Sequence, residues 1–133
     1  MEKNKLKKII IEIFKKYKLS KKHSEICAEA MVNAELVGAP THGLSRLKMY
    51  CDRIKKKLIN PKPKIKLKNI SQSVTHVYAD DSIGFVAADT AIKKAIKNAK
   101  KTGIGLVAVK NSGHYGMSGY YAEQAVKKNM IAL

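Results

Sequence analysis

Apolar residues in the first stretch of the chain recur at helical spacing. Leu6, Ile9, Ile10, Ile13, Phe14 and Tyr17 fall on one face between about Lys3 and Lys18, with lysines on the other, which predicts a one-sided amphipathic helix. Ser20 suits the N-cap of a second helix that buries Ile26, Cys27, Ala30, Met31 and Ala34. Gly38 fits the left-handed position past the last turn of that helix, and Pro40 bars its continuation. Thr41 is then expected to cap a third helix from about Gly43 to Lys57, with Leu44, Leu47, Cys51, Ile54 and Leu58 inward. Residues 1–59 therefore read as an N-terminal helical unit of three helices.

Asn60-Pro61-Lys62-Pro63 breaks the helical period and marks a boundary. Beyond it, Ile65, Lys66 and Leu67 have the period of a strand with one wet face. Val74, His76 and Tyr78 alternate with Thr75, Val77 and Ala79 in a second strand. Asp80-Asp81-Ser82-Ile83-Gly84 is expected to turn the chain into a fourth helix carrying Val86, Ala88, Ala91, Ile92, Ala95, Ile96 and Ala99. Thr102-Gly103 ends it. A strand from Ile104 to Val109, a glycine-rich loop and a helix from about Met117 to Lys128 follow, and Met130-Ile131-Ala132-Leu133 reads as the start of another buried strand. Strands alternating with helices predict an α/β fold with parallel pairing, in which residues 60–133 form an incomplete, truncated α/β domain.

Composition changes this picture little. Apolar and charged fractions of 45% and 28% are ordinary for a globular chain of 133 residues. No stretch approaches the roughly 20 apolar residues that cross a bilayer, so no membrane partner is expected. Cys27 and Cys51 have no metal-ligand spacing and fall on apolar helix positions, which suits reduced core thiols in a cytoplasmic protein. The net charge of +17 invites a nucleic-acid reading. Against it, Arg46 and Arg53 are the only arginines, and lysine lacks the bidentate fork that reads bases and phosphates. The lysines also spread over nearly every element without aromatic interleaving, as on a solvated surface. A Lys-rich module for nucleic acid or another polyanion remains the alternative function.

Two histidine constellations carry candidate chemistry. In Thr41-His42-Gly43-Leu44-Ser45-Arg46-Leu47-Lys48-Met49-Tyr50, a helix beginning near Thr41 would put His42, Arg46 and Tyr50 on one stripe, able to grip a small anion. The bland reading makes His42 a cap-region residue and Arg46 an exposed charge. In Asn111-Ser112-Gly113-His114-Tyr115-Gly116-Met117-Ser118-Gly119, a strand feeds a glycine-rich loop and then a helix, which suits close backbone approach to an anion. The Gly-x-x-Gly-x-x-Gly spacing is not the dinucleotide fingerprint. His114 within it can exchange a proton near neutral pH, although a turn histidine bonded to backbone is the plain alternative. His23 and His76 read as structural, and no cluster has metal-ligand spacing.

Taken together, Thr41-His42-Gly43-x-x-Arg46-Leu47 and Asn111-Ser112-x-His114-Tyr115-Gly116-x-x-Gly119-Tyr120-Tyr121 resemble the malate/L-lactate dehydrogenase family of NAD(P)-dependent 2-hydroxy-acid oxidoreductases. That family includes ureidoglycolate and sulfolactate dehydrogenases. Gly38, Leu58-Ile59-Asn60-Pro61 and Thr102-Gly103-Ile104-Gly105 support the likeness, which runs almost end to end but covers only the N-terminal portion of the family's usual length. The resemblance implies a non-Rossmann α/β cofactor domain and NAD or NADP as hydride carrier. It also implies a small 2-hydroxy/2-oxo carboxylate substrate resembling malate, lactate or sulfolactate. His114 becomes the proton acceptor, with His42 sharing substrate contact or acid–base work. Arg46 holds the substrate carboxylate between Thr41 and Tyr50, and His114, Tyr115, Gly116, Met117 and Ser118 approach the cofactor. Thr41 stands where the family usually has Ser, and Tyr115 where it usually has Phe. Glu35-Leu36-Val37-Gly38 lacks the arginine common there. A fragment inactive alone is expected, completed by a second polypeptide or belonging to a longer homodimeric enzyme.

The two functional classes separate by salt. Polyanion binding carried by charge alone weakens steeply with ionic strength and is indifferent to His114→Ala, which a nucleic-acid titration at low and high salt measures.

Overall fold

The computed structural model describes residues 2–133. Helix α1 (Lys3–Lys16) buries Ile10 and Phe14 and turns its lysines outward. Its partner α2 (Lys21–Leu36) starts where the Ser20 side chain accepts the His23 N–H at 3.1 Å. Small residues on α2, among them Cys27, Ala28, Ala30 and Ala34, are buried and let the two helices approach closely. Gly38 takes φ +76°, the left-handed position expected past the end of this helix. Both cysteines are free and buried.

The expected third helix is corrected. Instead of one helix from Gly43 to Lys57, two single 3₁₀ turns, Pro40–His42 and Leu44–Arg46, lead into a short α3 (Leu47–Lys55). The break has a cause: the Glu35 carboxylate reaches from α2 to accept the Leu44 N–H at 2.7 Å, and Gly43 leaves the helical region (φ −103°, ψ −130°) to allow it. A Cβ on Gly43 would strike that carboxylate. Thr41 therefore caps no helix; its hydroxyl lies 3.1 Å from His42 Nδ1.

The sheet has the order β1–β2–β3. Strand β1 (Lys66–Asn69) pairs antiparallel with β2 (Val74–Ser82), and β2 pairs parallel with β3 (Leu106–Ser112) across the helix α4 (Gly84–Thr102). Asp80 and Asp81, expected in a turn, stay within β2 as a left-handed irregularity at φ +53° and +52°. The Asp80 carboxylate accepts the Lys64 N–H and the Asn60 side-chain amide, which ties the Asn60–Lys64 segment to the end of β2.

β3 is left partly open, with Leu106 57% and Val109 40% exposed. One further expectation changes. Met130–Leu133 forms no strand and Ile131 is exposed; an apolar run becomes a strand only with a ladder partner. The final helix α5 (Ser118–Val126) buries Tyr121 and Ala125.

The main core joins α1, α2 and α3 to the start of α4, where Ile83, Phe85 and Val86 are buried. A smaller cluster of Val77, Ala79 and Ala87 lies between the sheet and α4. Asn98 stitches that layer: its amide donates to Ser73 O at 3.2 Å and to Thr75 Oγ1 at 3.1 Å, both on the β2 side. Thr75 and Asn98 are both buried. Asn98→Ala takes the donor from buried Thr75 Oγ1, while Ser73 O keeps the Leu106 N–H, so it should lower unfolding stability by roughly 1–3 kcal/mol, measurable as an earlier urea midpoint.

Candidate active site

The two histidine motifs meet. Glu35 sets the first: by drawing in the Leu44 amide it folds the double 3₁₀ turn that carries His42 and Arg46. The Ser45 hydroxyl donates to Pro40 O and Arg46 Nε donates to Thr41 O at 2.9 Å, which close the two turns on each other. Arg46 is exposed, and its terminal nitrogens have no partner among the described residues.

The second motif sits at the end of β3. Its loop rests on the first turn of α4, where a Cβ on Gly84 would fall 2.2 Å from His114 O and 2.5 Å from Gly113 O. Only glycine admits that approach. Gly116 takes φ +81°, and a Cβ there would meet the Phe85 ring. Phe85 in turn packs on Tyr50, ring centroids 5.0 Å apart. The Tyr121 hydroxyl donates to Tyr115 O and holds the loop from the α5 side.

Contacts between the motifs follow. Tyr50 Oη lies 2.6 Å from His114 Nδ1 across 64 residues of sequence. The His42 and His114 rings stack at 5.8 Å with an interplanar angle of 26°. The loop puts the Gly116 N–H 3.2 Å from the same His114 Nδ1. Tyr50 is buried, whereas His114 is only partly covered and reaches solvent. His42, Arg46, Tyr50 and His114 thus converge although no single helix carries the first three, while Thr41 supports His42 from behind. Glu35, Gly84 and Phe85 were not singled out for the site from sequence. The signal for them was faint: an acid one helical turn before a Gly-Ala-Pro break, and a glycine–aromatic pair opening a helix.

The electrostatics favour an anion. His114 is held below the ordinary histidine range by partial burial first, then by the Arg46 guanidinium and by His42. Burial pushes the Tyr50 phenol up, so it stays protonated at any physiological pH. A neutral imidazole, a protonated phenol and a guanidinium with free terminal nitrogens therefore lie close to one another. On the far side of the loop a cavity of about 750 Å³ opens between α4, β3 and α5. Gly113, Tyr115, Ser118 and Gly119 line it, with Lys110 at its wall. Its size is that of a small-molecule or cofactor site. Among the described residues no group of three or more His, Cys, Asp or Glu side chains is placed to hold a metal, and no helix is long and apolar enough to cross a membrane.

Comparison with known proteins agrees with this arrangement. The family model described as malate/L-lactate dehydrogenase matches residues 1–133. L-sulfolactate dehydrogenase of Methanocaldococcus jannaschii is 38% identical over 127 residues, covering 96% of this chain and 37% of that protein. Malate dehydrogenase of Pyrococcus abyssi is 38% identical over 131 residues, covering 98% of this chain and 36% of its own length. The solved structure of malate dehydrogenase from Pyrococcus horikoshii superposes with a TM-score of 0.93 at 37% identity, covering 96% of this chain and 37% of that one. The chain spans little more than a third of the length of these relatives and corresponds to their N-terminal portion.

The charges around His114 give a direct test. In an NMR titration its midpoint should lie below the 6.5 of an ordinary histidine, and Arg46→Gln should move it upward by removing a cation that disfavours imidazolium.

Proposed function

This chain belongs to the malate/L-lactate dehydrogenase family, and from that premise we propose that it supplies the substrate-gripping and proton-handling half of a 2-hydroxy-acid dehydrogenase. The substrate is a small 2-hydroxy/2-oxo carboxylate of the malate, lactate or sulfolactate kind. The observation that carries the reading is the convergence of His42, Arg46, Tyr50 and His114 into one cluster without an acid.

Arg46 offers its free terminal nitrogens to the substrate carboxylate as a fork, a geometry that also fixes the adjacent carbon bearing the oxygen. His42 and Thr41 flank that carboxylate. His114 meets the substrate oxygen and exchanges the proton as the carbon changes oxidation state. A nicotinamide cofactor, NAD or NADP, supplies or takes the hydride when bound. The residues fit such a group: the cavity beside the loop is large enough, and its glycines leave backbone open. His114, Tyr115, Gly116, Met117 and Ser118 would hold it from this side.

On this reading residues 1–59 form the helical unit that presents Arg46 and His42, and residues 60–133 form part of the cofactor domain. The working enzyme is a cytoplasmic homodimer of longer chains or a pairing with a second polypeptide that completes the domain.

Two measurements test the proposal. Oxamate or malate should shift the NMR signals of His42 and His114 in the isolated chain, and Arg46→Gln should weaken that binding by roughly 10–100-fold, the worth of a charge-assisted contact. If small carboxylates leave both histidines unmoved, the site is not theirs. In the chain complemented with the remaining portion of a relative, His114→Ala should lower kcat for NAD(P)H-dependent reduction of 2-oxo acids by about 10²–10⁴-fold.

A further inference from the structure

We propose that Tyr50 and the backbone amide of Gly116 together fix His114 in one tautomer, with its proton on Nε2 and its lone pair on Nδ1. Tyr50 is in this sense a positioning residue that acts through His114.

The argument starts from a donor that has no choice. A backbone N–H can only donate, and the Gly116 N–H is aimed at His114 Nδ1 from 3.2 Å. Nδ1 must therefore present a lone pair, because an N–H at that atom would face another N–H. Tyr50 Oη, 2.6 Å from the same nitrogen, is then the donor of that contact. Its burial keeps the phenol protonated and able to donate. A neutral imidazole with its lone pair on Nδ1 carries its proton on Nε2.

Neither donor is free to move away. Gly116 is held at φ +81° with its α-carbon against Phe85, where a Cβ would clash. Tyr50 is 1% exposed and packs on that same Phe85 ring. One buried phenylalanine thus sets both hydrogen-bond donors. The other groups acting on the ring, Arg46 and His42, are cations or potential cations and also favour its neutral form. At neutral pH the ring edge opposite Tyr50 is therefore an N–H donor, which suits the oxygen of a 2-oxo acid or a carboxylate. For that edge to take a proton instead, Nδ1 must become the N–H, Tyr50 must turn acceptor, and the Gly116 amide must lose its partner. The consequence for turnover rests on the dehydrogenase reading; the tautomer does not.

The test is ¹⁵N NMR of the imidazole nitrogens in the full chain, with the His114 signals assigned by His114→Gln. In the wild type above the histidine midpoint, Nδ1 of His114 should be pyridine-like and Nε2 pyrrole-like, as a single species. Tyr50→Phe keeps the buried ring and deletes only the hydroxyl. Because the lost hydrogen bond favours the neutral ring, the His114 midpoint should rise, by roughly several-fold in proton affinity. A pyrrole-like Nδ1 in the wild type, or a midpoint unchanged or lowered in Tyr50→Phe, overturns the proposal. No substrate or cofactor enters this experiment, so its outcome is separate from that of the carboxylate-binding test.

Discussion

The site depends on the seating of the His114 loop against the first turn of α4. That contact is backbone on backbone at Gly84 and ring on backbone at Phe85 and Gly116. Such contacts leave little freedom, because no side chain rearrangement can absorb a displacement. The loop is therefore positioned by an element that also belongs to the main core. The core residues Ile83, Phe85 and Val86 link the packing of the N-terminal helices to the position of His114. Stability and chemistry share the same few residues.

A second constraint acts on the first motif. The Glu35 carboxylate pulls the Leu44 amide in and prevents α3 from starting at Thr41. A continuous helix would place His42 on the stripe of Arg46 and Tyr50, all at the same distance from the helix axis. The two 3₁₀ turns instead let His42 reach the His114 ring while Tyr50, a turn further on, goes beneath it. The group of charges that results has no acid among the groups acting on His114. That imbalance favours a bound anion and a neutral imidazole at once.

Much of the fold was legible because it rests on local periodicity. The rows Leu6-Ile10-Phe14 and Cys27-Met31-Ala34 are one-sided, so α1 and α2 lie close to where their pattern puts them. Gly38 declared a left-handed end and took one. What failed was decided at a distance. The start of α3 was moved by a carboxylate nine residues upstream, which no helical pattern contains. Asp80-Asp81 reads as a turn, but side-chain acceptance of the Lys64 amide lets it continue the strand as a bulge. Met130–Leu133 has the composition of a strand and forms no ladder, although β3 leaves a free edge to the sheet.

Identity and atom-level role were legible to different degrees in the site itself. The motifs name His42, Arg46, Tyr50 and His114, since each residue type has a chemistry and the two stretches resemble one family. They do not say which nitrogen of His114 faces which donor. That detail depends on Gly116, whose value in the sequence is only that it is small, and on Phe85, which reads as one more core residue. In the folded chain these two place an amide and a phenol on the same lone pair. The residues with the plainest sequence signals thus hold the reacting atoms, and those with the weakest decide which protonation state the reacting atoms can adopt.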